Sequence, residues 1–163
     1  DKGRAQAVRV MRKHRLAECL LVTVIGLPWE QVHTEACRWE HVISEDVERR
    51  LLELLGHPTE SPFGNPIPGL DELEPGDDAR EDAVVAYTTL DRVATQEPGN
   101  AMVRRIGEPA QTNEGTMTRL RRAGVLPGAL VRVQSVPGGV LAGSMGEYAE
   151  FSLAEASHVV VDG

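Results

Sequence analysis

Residues 32–51 read VHTEACRWEHVISEDVERRL, and they encode the end of one helix, a turn and the start of another. His33, Cys37 and His41 follow one another at intervals of one helical turn, and Glu40 flanks the same stripe, so the first helix carries a row of potential metal donors. Ser44 then fits an N-cap, with Glu45 and Asp46 in the first turn, where the helix dipole favours negative charge. This following helix is expected to run to Gly56.

Working outward, Pro28 suits the first turn of the donor helix, which the spacing predicts over 28–43. Before it, Val8, Met11, Leu16, Leu20 and Val24 recur at three to five residues without an intervening proline. That pattern predicts one long helix over 2–25, stopped by Gly26. Three helices with tight joins make an α-helical unit. Within the first, His14 and Glu18 form an i,i+4 pair, a half-site for a divalent transition metal whose plainer reading on spacing alone is an exposed polar pair. A hairpin of the first two helices brings His33 across from that pair. Thiolate, carboxylate and imidazole at Cys37, Glu40 and His41 suit Fe(II), Co(II), Ni(II) or Zn(II) and match Ca or Mg poorly. The competing reading of that trio is a buried small thiol beside two surface residues.

Downstream the composition changes. Four prolines lie between His57 and Gly69, and a dense acidic run follows to Asp82. Phe63 and Ile67 in SPFGNPIPG offer something to bury, whereas 74–82 reads as flexible. From 101 onward the period is two: Ala129, Val131 and Val133 alternate with Leu130, Arg132 and Gln134, and PGG at 137–139 marks a turn. Strands near 101–106, 129–136, 139–144, 147–152 and 158–161, with a short helix over 113–123, predict a small, partly open β-barrel. The fold class is α+β, with domains at 1–74 and 98–163 joined by a flexible linker over 75–97.

The chain has 163 residues, 41% of them hydrophobic and 26% charged, a soluble balance. Its net charge of −8 is uneven: residues 1–57 carry nine acidic and nine basic side chains, 58–100 ten and two, and 101–163 six and six. Neither flanking module has the basic stripe of a DNA-contacting surface. No signal peptide or apolar run of membrane-spanning length is visible, so a cytoplasmic protein without membrane association is expected. Two cysteines, Cys19 and Cys37, fit free thiols in a reducing compartment. Cys19 is expected in the core or a dimer interface, Trp29 and Trp39 between helices, His57 at a helix end and His158 in the last strand. No phosphate loop, nucleophile elbow or H-E-x-x-H motif occurs, and no enzymatic activity or small-molecule substrate is expected.

MRKHRLAE, VHTEACRWEHVISEDVERRL and SPFGNPIPGLDEL together resemble the metal-dependent repressors of the diphtheria-toxin-repressor family, specifically the iron-dependent regulators of actinobacteria. The resemblance is dense over about 4–75 and collinear through the rest. It implies an N-terminal winged helix-turn-helix that this chain lacks, with Asp1–Arg4 similar to the end of the wing, then a helical dimerisation domain with two metal sites and an SH3-like domain on a proline-rich tether. Matched residue by residue, it implies an ancillary site at His14, Glu18 and His33, completed by Glu108 and Gln111, which alone would read as solvated loop residues. It implies a primary, activating site at Cys37, Glu40 and His41, which in the family also takes a methionine from the N-terminal domain. The cysteine leans toward Fe(II), because the manganese-sensing branch carries a carboxylate there; Co(II), Ni(II), Zn(II) or Mn(II) would substitute. The implied function is a ferrous-iron-dependent transcriptional repressor of iron-homeostasis genes, acting as a homodimer on operator DNA through the absent N-terminal domain. The alternative is a metallohydrolase or metal-storage protein built on the same cluster.

Overall fold

The computed structural model describes residues 1–74 and 86–163, and it divides into two compact units, Asp1–Glu81 and Asp82–Gly163. The stretch 75–85, expected to be flexible linker, lies outside the described residues.

In the first unit, α1 (Lys2–Leu20) is capped by the Asp1 side chain, which accepts from Gly3 N at 3.0 Å. The helix was expected to run to 25. It changes instead to a π-helical turn over Leu21–Ile25, where the run Val22, Thr23, Val24 and Ile25 is β-branched and poorly suited to regular α-helix. Gly26, at φ 74°, ends the element. A 3-10 turn (Trp29–Gln31) leads into α2 (Val32–Trp39), shorter than the expected 28–43; Glu40 is its C-cap and His41 lies beyond it. In α3 (Glu45–Leu54) Ser44 is the N-cap, its hydroxyl accepting from Val47 N at 3.3 Å, and His57 N closes the far end on Leu52 O at 2.8 Å.

Leu16, Cys19, Leu51, Leu52, Ile67 and Leu73 form the core of this unit. The proline-rich segment is therefore ordered, as its apolar residues predicted. Ser61 Oγ accepts from Phe63 N and Asn65 N at 3.2 and 3.3 Å, and Phe63, fully buried, packs at a tilt against Trp29 with ring centroids 5.0 Å apart. Gly69 adopts φ +70° and faces α1 so closely that a Cβ there would lie 2.8 Å from Val8 Cγ1.

The strongest tie is ionic. Arg12, 1% exposed, donates from Nε and Nη2 to the two oxygens of the fully buried Glu48 at 2.7 and 3.1 Å, and from Nη1 to Gly69 O at 2.9 Å. Lys13 adds a 2.8 Å bond to Glu48, and Glu72 a 3.1 Å bond to Arg12. Burial draws the Arg12 pKa down, but Glu48 and then Glu72 outweigh it and leave it raised. The fork geometry fixes the rotation of α1 against α3.

The second unit is a six-stranded antiparallel sheet in the order β1-β6-β2-β3-β4-β5. Its strands are β1 (Tyr87–Thr89), β2 (Gly99–Ile106), β3 (Leu130–Val136), β4 (Gly139–Ser144), β5 (Glu147–Ser152) and β6 (Val159–Asp162). Five of them match the expected strands; His158 precedes β6 rather than lying in it. β1 corrects the linker boundary. Residues 87–89 pair with 160–162, and the following α4 (Leu90–Val93) drives the fully buried Leu90 into the core, so the expected linker over 75–97 is partly domain. Alternation places Val131, Val133, Val140, Ala142 and Phe151 inside. Positive φ at both Met145 and Gly146 makes the β4–β5 connection a tight two-residue hairpin. Three short helices complete the unit: α5 (Glu108–Gln111), α6 (Glu114–Arg122) and α7 (Leu153–Ala156). Asn113 caps α6, accepting from Thr116 N at 3.0 Å, and Met117 and Leu120 are its buried anchors.

Candidate metal centre

The centre lies where α1 packs on α2. Ala17 and Ala36, both fully buried, keep the contact thin enough for the flanking side chains to meet. His14 and Glu18 come from one face of α1, and His33 from the first turn of α2; they are 2%, 1% and 8% exposed. The polar-surface reading of the His14/Glu18 pair is thus overturned. The imidazoles of His14 and His33 meet edge to face, with centroids 4.8 Å apart.

The donor atoms converge. His14 Nε2 is 3.2 Å from His33 Nδ1 and 3.3 Å from Glu18 Oε1. Two ligands of one transition metal at bond lengths of about 2.1 Å stand roughly 3.0–3.4 Å apart at right-angled or tetrahedral positions. The observed spacings fall in that range. Two imidazoles and a carboxylate removed from water are also costly to assemble unless something draws on their lone pairs. Chemistry and geometry therefore both fit a divalent metal.

The Cys37, Glu40 and His41 trio is distributed differently from a single stripe. Cys37 Sγ lies 3.6 Å from His33 Nε2, and among the described residues the ligand atoms of His14, His33 and Cys37 all fall within 4.8 Å of one another. Glu40 Oε2 lies 2.6 Å from His14 Nδ1, and its Oε1 lies 3.3 Å from His41 Nε2. His41, past the end of α2, has a side chain 68% exposed. The two expected sets therefore adjoin: each imidazole turns one nitrogen to the other imidazole and its second to a residue of the other set.

Glu108 and Gln111 belong to the second unit, at the two ends of the single turn α5. Gln111 is 2% exposed and donates from Nε2 to Ile106 O at 2.9 Å, so its amide is held by the backbone rather than solvated. Glu108 is half-buried. The second free thiol, Cys19, is in the core, where burial, with Glu18 adding, pushes it up to about 12. Sequence reasoning missed the Arg12–Glu48 pair entirely; two charged residues on different helices carry no local sign that they meet.

The family described as iron dependent repressor, metal binding and dimerisation domain, matches residues 1–69. The solved structure of IdeR from T. acidophilum superposes with a TM-score of 0.74 at 30% identity, covering 99% of this chain and 69% of that one.

The chain belongs to the iron-dependent repressor family.

The iron-dependent repressor IdeR of Mycobacterium tuberculosis is 57% identical over 144 residues, 85% of this chain and 60% of its own length. The diphtheria toxin repressor of Corynebacterium diphtheriae is 48% identical over 131 residues, 80% of this chain and 57% of its own. The chain thus spans about 60% of the curated iron-dependent repressors it matches. Divalent-metal binding and dimerisation are the properties of the matched domain. Among the described residues, no helix is long and apolar enough to cross a membrane.

Proposed function

We propose that this chain is the metal-sensing, dimerisation and SH3-like part of a cytoplasmic, ferrous-iron-responsive transcriptional repressor of iron-homeostasis genes, with the metal as co-repressor. The observation that carries the reading is the convergence of His14 Nε2, Glu18 Oε1 and His33 Nδ1 at metal-ligand spacing in a buried seam. In this reading His14, Glu18 and His33 hold one ion, and the family resemblance names Glu108 and Gln111 as further ligand candidates. Cys37, Glu40 and His41 hold the activating ion, together with a ligand from an N-terminal winged helix-turn-helix. Bound metal would supply positive charge that neutralises the carboxylates and the thiolate gathered there. Iron is favoured because a soft thiolate in the set disfavours Mn(II). Coupling to DNA follows from linkage: an ion that binds the operator-competent arrangement better shifts the population toward it, and operator DNA tightens metal binding reciprocally.

A homodimer is supported by the apolar side chains left in solvent, Val24 and Ile25 after α1 and Leu54 on α3, at 55%, 52% and 63% exposure. The family match to metal-dependent repressors weighs against the metallohydrolase and storage readings.

Fusing the chain behind a winged helix-turn-helix of this family tests the reading. Operator binding in a mobility-shift assay should require Fe(II) or Co(II), and fail in the His14→Ala and Cys37→Ala fusions. Binding that ignores metal would sink it.

A further inference from the structure

The 2.6 Å contact between Glu40 Oε2 and His14 Nδ1 joins residues of the two metal sets, and it decides which nitrogen of His14 faces the metal seam. A carboxylate at that distance accepts a hydrogen bond from Nδ1–H. The neutral ring then carries its hydrogen on Nδ1 and presents the Nε2 lone pair toward Glu18 and His33. Metal-ligating imidazoles recurrently give their second N–H to a carboxylate, which fixes the ring and raises its basicity.

We propose that Glu40, besides serving the Cys37 set, is the positioning residue for His14, so that one carboxylate couples the two metal sets. The inference rests on the two-set reading given above. Helix length is what makes it possible: α2 ends at Trp39, and Glu40 as C-cap reaches α1 with one oxygen while keeping the other beside His41. Its side chain is 17% exposed, dry enough for the contact to orient a ring. Occupancy of the Cys37 set, by holding Glu40 in place, would pre-orient His14; occupancy of the His14 set would pre-orient Glu40 in return.

Two variants separate this role from simple ligation. Glu40→Gln keeps an oxygen that can accept from His14 Nδ1 but loses the anionic ligand. Glu40→Ala loses both. Anaerobic Co(II) titration distinguishes the sets, because thiolate-to-metal charge transfer reports the Cys37 set, and the calorimetric class of site that develops without that band reports the His14 set. The expected result is that Glu40→Ala weakens Co(II) binding at the His14 set about 10- to 100-fold, the usual consequence of losing such a partner, whereas Glu40→Gln restores most of that affinity and still weakens the Cys37 set. Cys37→Ala, which keeps Glu40 and its contact to His14, should weaken the His14 set less than Glu40→Ala does. An independent reading comes from 15N-histidine NMR of the metal-free parent, where His14 should be the tautomer protonated on Nδ1. A His14 protonated only on Nε2, or parent-like affinity of the His14 set in Glu40→Ala, overturns the proposal. A parent that binds no Co(II) overturns the sensor reading and this coupling together.

Discussion

His14 and His33, nineteen positions apart on different helices, face each other with Nε2 and Nδ1 3.2 Å apart in a seam almost closed to water. Two ring nitrogens at that distance share one proton or one metal. Metal should therefore act as a staple between α1 and α2. At free Co(II) of 100 times its dissociation constant, the gain is about 2.7 kcal/mol. The melting temperature of the first unit, followed by circular dichroism, should rise by roughly 10–20 °C and fall back with chelator. His14→Ala should cut the rise to what the Cys37 set alone contributes. A melting temperature indifferent to metal would mean that the donors are structural.

The Arg12–Glu48 fork sits two residues from His14 and sets the rotation of the helix that carries it. Arg12→Ala leaves the fully buried Glu48 with Lys13 as its remaining cation, and should cost about 3–5 kcal/mol in denaturant unfolding of the first unit. Replacing both partners, as Arg12→Met with Glu48→Leu, should cost less than Arg12→Ala alone. Equal or greater loss in the double variant would show that the pair contributes more than mutual neutralisation.

The two thiols should separate kinetically. Cys19 is buried, donates toward Glu60 O at 3.5 Å and is pushed up to about 12, so it stays a thiol at pH 8. Cys37 is only half-buried. Timed iodoacetamide labelling read by mass spectrometry should modify Cys37 first and Cys19 only on unfolding, with Co(II) protecting Cys37. Rapid labelling of Cys19 in the native chain would contradict the core packing.

Acid stability has a definite sign. Hydrogen bonds from Arg9 and Arg12 hold Glu72 below the usual carboxylate range, and Arg104, bonded to both oxygens of Asp162 at 2.5 and 2.6 Å, does the same there. For Glu155, burial pushes upward but Thr116, the Ser152 backbone and Arg119 prevail, and it too is depressed. The unfolded chain then binds more protons at acid pH. These contributions are fully present above the unfolded values of about 4 and are lost as pH falls through the lower folded ones. These three carboxylates should leave melting temperatures unaffected from pH 7 to 5 and lower them below about pH 4, and Arg104→Ala should flatten the drop for the second unit. A steeper drop in that variant would refute the assignment.

Much of this was legible in the sequence where the signal is local. The i,i+4 spacing gave His14 and Glu18, the hairpin implied by Gly26 and Pro28 put His33 opposite them, and the alternation around Val131 and Val133 located the sheet. What escaped depends on where elements stop and what they meet. Three residues at Tyr87–Thr89 are too short for a period, and their partner strand lies at the far end of the chain. Glu40 joins His14 only because α2 ends at Trp39, a boundary that pattern does not resolve. Glu48 reads as an ordinary acidic residue in the first turn of α3 until Arg12 is seen against it. The assignment of Glu108 and Gln111 to the site came from family resemblance, since nothing in their spacing asks for a metal.

The most direct measurement is anaerobic calorimetric titration of the chain with Fe(II) and Co(II), in the parent and in His14→Ala and Cys37→Ala. The account predicts two classes of site, with His14→Ala removing one and Cys37→Ala removing the other. Unchanged heats in both variants would contradict it.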